Sequence, residues 1–335
     1  IVYAFYAVGI RNEKLYYRPK KPREPINLVG RKANFFAISL ILIAAGFGVA
    51  GYNAARGNGA MNYSLEFQGG TSTNVTFDQD YTIDEIDAQI IPVVEKATGD
   101  HNVQAQKVEE SNQIIFKTST LDLDAREALD QALVDNFQVD ESLITFENIS
   151  STVSSEMRTD AIVAVAIATV LMLLYIWFRF KDIRFATSAV LALLHDVLIV
   201  ALFYAVARIS VGNTFIACIL TIFGYSINAT IVIFDRIREE LKLAPKGQDL
   251  AYTVNKSITQ TLTRSIYTSL TTFITIAVLF VMGVSSIREF ALPLMVGIVC
   301  GAYSSVCVTG PLWYVMKTKI GGKKKEAEKS GKKKK

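Results

Sequence analysis

The chain has 335 residues, 51% of them hydrophobic, and a formal net charge of +4. The apolar residues fall in long blocks with the charges segregated between them, which excludes an ordinary soluble domain. Two distant histidines, His101 and His195, and three cysteines confined to apolar blocks exclude a sequence-evident metal centre or disulfide framework, and no P-loop, GxSxG or dinucleotide fingerprint is present.

In chain order, residues 1–10 are apolar but too short to span a bilayer, and Arg11, Lys14, Arg18, Lys20, Lys21 and Arg23 follow. This start reads as the cytoplasmic end of a helix that begins upstream. Residues 11–32 form a basic linker with Pro19, Pro22 and Pro25, which the positive-inside rule places in the cytoplasm. Residues 33–52 form the first transmembrane helix.

Residues 53–159 are polar, with about three acids for each base, as suits a translocated domain. Strand patterns cover Tyr63–Phe67, Thr71–Phe77, Val103–Glu109, Gln113–Thr118 and Leu143–Glu147. One helix begins at Thr82, with Glu85 completing a capping box, and carries Ile83, Ile86, Ile90 and Val94. Another begins near Asp122 and carries Ala125, Leu129, Ala132 and Leu133. The order predicts a small α+β ferredoxin-like extracytoplasmic domain, with Gly69 and Gly70 at a turn or bulge. Its acidic face reads as solvated surface.

Residues 160–316 supply five further spans, within Ala161–Phe178, Phe185–Ala207, Asn213–Phe234, Leu262–Met282 and Phe290–Met316. Asp235–Thr263 reads as a cytoplasmic connection and Gly283–Glu289 as a small outer turn. Residues 317–335 are a Lys-rich cytoplasmic tail, simplest as a solvated anchor; anionic membrane lipid or ribosomal RNA is the sharper alternative, and no nucleic-acid partner is expected. The fold class is therefore an α-helical polytopic membrane protein of six spans.

Polar residues inside the spans are the candidate machinery. Asp196 sits mid-span beside His195, where a carboxylate costs about 2.5–3.5 kcal/mol to insert. It is either a structural pair or a proton or ion relay, and an intramembrane acid favours the relay. Gly224, Asn228, Ile231 and Asp235 share one helical face, expected to face other helices. Arg264, Thr268, Thr271 and Thr275 form a second stripe, although Thr hydroxyls can bond their own helix. Asp235–Arg236 and Arg238–Glu239 are expected ion pairs, and Asp235 and Arg236 candidate gate residues. Gly297 and Gly301, with Ser304 and Ser305 beyond, read as close packing rather than chemistry.

The stretch Gly224-Tyr225-Ser226-Ile227-Asn228 through Phe234-Asp235-Arg236-Ile237-Arg238-Glu239-Glu240 resembles the signature of the SecF family. So do Phe67-Gln68-Gly69-Gly70, Leu194-His195-Asp196 and Thr261 through Ser269, all in the family's order, across residues 33–316. The opening residues look like the end of a SecD half, so the whole resembles the SecF half of a fused SecDF, of the RND superfamily. That resemblance implies an RND-type bundle in the bacterial cell membrane with both ends cytoplasmic. It implies no catalytic activity, cofactor or metal. Implied partners are a SecD half, the SecYEG channel, YajC, YidC and the translocating preprotein.

The implied role is coupling of an ion gradient, with the proton as the expected ion, to late steps of preprotein translocation. Arg264 inherits the family's intramembrane arginine, and Gly69, Gly70, Gly224, Tyr225 and Ser226 its structural motif positions. The family often carries Asp directly after the Asn of the Gly-Tyr-Ser-Ile-Asn motif, where this chain has Ala229. An RND-type small-molecule or lipid exporter half and a non-conducting translocon scaffold are the alternatives.

Overall fold

The computed structural model describes residues 24–319, apart from 57–58, 102, 109–110, 246 and 284. The expectations for residues 1–10, most of the basic linker and most of the Lys-rich tail lie outside the described residues. Among the described residues, six helices are long and apolar enough to cross a membrane: α1 (Lys32–Ala55), α6 (Ser151–Phe180), α7 (Ile183–Ala207), α8 (Asn213–Leu243), α9 (Leu250–Met282) and a last span over Ile287–Lys319. The last begins as α10 (Ser285–Tyr303) and continues through a π turn at Ser304–Thr309.

Between α1 and α6 lies the sheet domain. Its strands are β2 (Gly70–Thr76), β3 (Gln104–Lys107), β4 (Gln113–Thr118) and β5 (Ile144–Ile149), in the order β3-β4-β2-β5 and antiparallel throughout. Helical segments α3 (Ile83–Glu85) and α4 (Ile91–Thr98), joined by a π segment at Ile86–Ile90, and α5 (Leu123–Phe137) cover one face. This is the ferredoxin-like split βαβ arrangement.

Its core follows from the sequence periodicity. Thr82 and Glu85 form both halves of the capping box, and Ile86, Ile90 and Val94 point inward against Leu129, Leu133, Phe116 and Val75. Ile83 does not: it is 68% exposed, because the inward face repeats every four residues from Ile86.

The first expected strand is corrected. Only β1 (Asn62–Tyr63) is extended, and α2 (Leu65–Gln68) follows as a single helical turn. β1 lies outside the sheet and pairs in parallel with β6 (Ser210–Val211), between α7 and α8. Leu65 and Phe67 are both buried, so an alternating apolar pattern described either conformation. Gly70 enters β2 at φ +124, and a Cβ there would lie 2.2 Å from the Thr118 carbonyl oxygen. Only glycine fits both the backbone and the space.

Several contacts seat the domain on the bundle besides the β1–β6 pairing. Ser154 Oγ donates to the Leu65 carbonyl (3.4 Å), Glu66 Oε2 accepts from the backbone N–H of Asn213 (2.7 Å), and Gln106 Nε2 donates to Glu289 (3.3 Å). A polar cleft of about 360 Å³, lined by Lys117, Glu147 and Glu289 among others, separates sheet from bundle. Burial there pushes the Lys117 ammonium below the usual lysine range, and Glu289 opposes that shift.

The helical connections also differ from expectation. α6 starts ten residues before Ala161, directly after β5. The mixed-charge segment Asp235–Thr263 is mostly helix, with α8 and α9 each extended and only residues 244–249 between them. At about 1.5 Å per residue these helices run roughly 46–50 Å, beyond the ~30 Å hydrocarbon core, so their charged ends project past it. The α9–α10 connection is two residues, not seven.

The bundle has a centre and a rim. In the most apolar stretch of each helix, 44–61% of residues are buried in α7, α8 and the last span, against 11% in α1, α6 and α9. Gly297 sets the central spacing: a Cβ would lie 2.3 Å from Ile222 Cδ1. Gly301 packs on Ser226 in the same way, so the glycine pair brings α10 against α8.

Candidate functional site

The site is organised by α8, which presents different chemistry on two faces. Its inner face meets Asp196, about 17 Å along α7 from the domain end and so near mid-membrane. Asp196 is fully buried. Ser226 Oγ on α8 and Ser304 Oγ on the last span each donate to Oδ2 at 2.7 Å. Cys300 Sγ donates to Oδ1 at 3.3 Å, and His195 Nδ1 lies 3.0 Å from the same oxygen.

One carboxylate therefore ties three central helices together, with both oxygens satisfied from within the chain. Such saturation is what a buried carboxylate requires, since an unpaired one costs far more than the bonds return. The Nδ1–H tautomer of His195 completes the set and leaves Nε2, which is buried without a partner, as a bare acceptor. Its ring lies 6.3 Å from that of Tyr303, whose hydroxyl donates to the Phe35 carbonyl at 2.8 Å and so links α1 to the node.

Ser304 opens the π turn, where one extra residue re-aims side chains. Ligand atoms of His195, Asp196 and Cys300 all lie within 4.8 Å of one another, a set of types that can hold a borderline metal; here each atom is engaged in hydrogen bonding with another.

The outer face of α8 is different. Gly224 and Asn228 are exposed and Ile231 and Asp235 half-buried, so the upper part of this stripe looks out of the chain rather than into it. Alongside runs α9, with Arg264, Thr268, Thr271 and Thr275 exposed. The Arg264 guanidinium forms no hydrogen bond or ion pair among the described residues, and the residue lies about 27 Å from the domain end of α9.

The Thr stripe is self-satisfied: Thr268 donates to the Arg264 carbonyl (2.8 Å), Thr271 to Tyr267 (3.0 Å) and Thr275 to Thr271 (3.0 Å). Between the helices is a cavity of about 70 Å³ lined by Tyr225, Asn228, Ala229, Arg264, Ser265 and Thr268 among others. Tyr225 and Ser265 are among the lining residues, and their hydroxyl oxygens are buried without partners.

At the far end of α8 the expected ion pairs are replaced by others. Asp235 pairs with Arg179 of α6 (2.9 Å) rather than with Arg236. Arg236 reaches Glu239 and Glu240, Glu240 also holds Lys256 (2.7 Å), and Arg238 donates to the Arg179 carbonyl. Neighbours at i+1 point apart on a helix, whereas i+3 and i+4 neighbours meet. Asp235 thus ties α8 to α6, and Arg236 ties it to α9 by donating to Gln260 Oε1 (2.6 Å). Glycines 69 and 70 lie at the base of the domain, away from both faces of α8.

The sequence reading missed Cys300, gave Ser226 only as a structural motif position and took Ser304 as packing; all three bond Asp196. Small polar residues on apolar helices were the available signal, but nothing local says that residues from three helices converge.

Six spans among the described residues, around a three-helix centre and carrying one ferredoxin-like domain after the first span, define a multi-pass helical membrane protein. Residues 129–319 match the family described as "Protein export membrane protein SecD/SecF, C-terminal". The chain is 36% identical to protein translocase subunit SecF of Sebaldella termitidis, over 81% of this chain and 87% of that protein. It is 33% identical to the same subunit of Petrotoga mobilis, over 86% and 94%. A match to SecDF of Bacillus subtilis is 44% identical over half of this chain and 23% of that one. The crystal structure of Thermus thermophilus SecDF, described as a translocon-associated membrane protein, superposes with a TM-score of 0.76 at 31% identity, covering 95% of this chain and 42% of that one. The chain belongs to the SecD/SecF protein-export family.

Proposed function

We propose that the chain is a SecF-type subunit of the Sec protein-export machinery, and that it couples an ion gradient to preprotein translocation through the α8–α9 face. The supporting observation is that open face, in a chain whose full-length relatives are SecF subunits. A rim helix with an exposed guanidinium and a polar stripe is poorly suited to lipid, where charged and amide groups are costly unless covered by protein or water. The natural cover is a second six-span half: a SecD-type partner, fused or separate, whose helices complete the groove at Asn228 and Arg264. The fusion proteins among its relatives favour this partner.

In this reading the domain is extracytoplasmic, both ends are cytoplasmic, and the bilayer is the bacterial cell membrane. The saturated bonding of Asp196 favours a positioning role: it fixes the rotation of α8, so that Asn228 and Ala229 face α9. Asp235 and Arg236 close the cytoplasmic end by ion pairing, and SecYEG is the channel served.

The test is translocation of a secretory precursor into membrane vesicles under an imposed proton gradient. Arg264→Leu is expected to abolish gradient-dependent stimulation while the protein accumulates normally. Full stimulation by that variant would remove the ion-coupling reading and leave a scaffold.

A further inference from the structure

The end of the bundle away from the sheet domain carries a buried aromatic stack with cations gathered on it. The Trp313 ring stacks on Phe185 at 4.7 Å, and the Lys317 ammonium lies 4.9 Å from the Trp313 centroid. Arg184 precedes Phe185 at the start of α7, and its charge and that of Asp182 both act on Lys317. Lys32 of α1 lies 5.6 Å from the ring of Tyr314. Helix α1, helix α7 and the last span thus each bring a cation to the turn at Trp313–Lys317. The carboxylate facing them, Asp182, is already shared: its Oδ1 accepts from the backbone N–H of Arg184 at 3.0 Å and lies 3.9 Å from Arg184 Nε. Like charges gathered in this way repel unless an anion lies between them. The flanking sequence is a poor source of one, since residues 11–23 and 320–335 are strongly basic. Both central cations are reachable: the Arg184 side chain is 34% exposed and Lys317 is half-buried.

We propose that this end of the bundle binds the phosphate of one anionic phospholipid, held between Arg184 of α7 and Lys317 of the last span. Depth singles out lipid as the source of the phosphate. Ser304 bonds Asp196 near mid-membrane. At about 1.5 Å per residue, Lys317 lies roughly 20 Å further along the last span and Arg184 roughly 18 Å back along α7. The hydrocarbon ends about 15 Å from the midplane and the headgroup layer about 20–22 Å from it. Both cations therefore lie in the layer where lipid phosphates are concentrated. A guanidinium presents paired donors to phosphate oxygens, and an ammonium adds a point charge. The Trp313 ring holds the Lys317 charge in place by a cation–π contact, so it is presented beside Arg184 rather than left free to snorkel away. Basic pockets between helices at this depth favour acidic headgroups, whereas the quaternary ammonium of a choline headgroup is repelled by the same cations. The inference is separate from the export reading, because binding needs only this end of the bundle.

The experiment is native mass spectrometry of the full-length protein in a neutral detergent, titrated separately with phosphatidylglycerol, phosphatidylcholine and glycerol 3-phosphate. One phosphatidylglycerol is expected to be retained, with a Kd about tenfold or more below that for phosphatidylcholine, as a charge-assisted contact gives. Arg184→Gln and Lys317→Gln are each expected to raise that Kd about tenfold, as the loss of a hydrogen bond to a charged group. Lys317→Arg, which keeps the charge, is expected to retain the lipid. Lys181→Gln, an exposed cation in the same loop, is expected to change the Kd less than about twofold, because exposed charges are screened. Equal affinity for the two lipids would overturn the proposal. So would equal losses in Lys181→Gln and the two site variants, which would leave only diffuse attraction to a basic surface. Glycerol 3-phosphate binding as tightly as phosphatidylglycerol would overturn it in favour of a free phosphate ligand, and loss of the lipid in Lys317→Arg would reduce Lys317 to a packing role. No translocation is measured, so failure of the export reading does not affect the outcome.

Discussion

Ser226 and Asn228 are two residues apart on α8, yet they occupy opposite environments. Ser226 is buried and spends its hydroxyl on Asp196; Asn228 is exposed beside an unpaired Arg264. On the inner face the Asp196 carboxylate finds all its partners within the chain. On the outer face the guanidinium and two buried hydroxyls find none among the described residues. Polar residues in membrane helices are expensive in both places, so the difference separates those that hold the fold from those awaiting something outside it.

The largest break in this comparison is expected at the node. Asp196→Ala strands the Ser226 hydroxyl, a thiol and an imidazole around a void, leaving Ser304 only its bond to the Gly301 carbonyl, and is expected to cost about 3–5 kcal/mol. Detergent-solubilised protein would show it as a lowered unfolding midpoint and poor accumulation. Asp196→Asn, which keeps the shape, is expected to lose less.

A glycine contrast comes next. Gly297→Leu drives a side chain into Ile222 and is expected to cost about 1–3 kcal/mol by overpacking. At Gly224, on the open face, a Cβ would meet nothing within 4 Å, so Gly224→Ala is expected to stabilise by about 0.5–1 kcal/mol through helix propensity. If unfolding curves showed Gly224→Ala to be as damaging as Gly297→Leu in the chain alone, the two faces would not differ as described.

Lys117 tests the same idea in the sheet domain. Its folded-state pKa is depressed by burial, so between that value and the unfolded value of about 10.4 the folded state binds fewer protons than the unfolded. Stability contributed at this position is expected to rise with pH across that window. Lys117→Met is expected to remove the dependence, in unfolding curves taken from neutral to alkaline pH. Arg264→Leu is expected to have the smallest effect on stability, within about 0.5 kcal/mol, as for surface substitutions generally.

Much of the fold was legible because its signals are local. The capping box at Thr82–Glu85, the Ile86–Ile90–Val94 spacing, the Asp122 cap and six apolar blocks need only a few neighbouring residues to be read. The errors arose where local pattern is ambiguous. Leu65 and Phe67 alternate as in a strand but lie on one helical turn. The charges of Asp235–Thr263 resembled a loop because α8 and α9 outrun the hydrocarbon core. The node was illegible for a different reason: Ser226, Cys300 and Ser304 meet Asp196 only after three helices pack, helped by the Gly297–Gly301 spacing and the π turn. Arg264 was legible as a candidate; the orphan hydroxyls of Tyr225 and Ser265 were not, since partnerlessness is a property of the assembled structure.

The most direct test of the two-face account measures unfolding and gradient-driven precursor translocation together, for Asp196→Asn and Arg264→Leu in the full-length protein. The account predicts that Asp196→Asn lowers the unfolding midpoint, whereas Arg264→Leu leaves it nearly unchanged and abolishes the gradient-dependent part of translocation. A stable Asp196→Asn protein with no gradient response, beside an Arg264→Leu protein with a full one, would contradict it by moving the working site to the interior of the bundle.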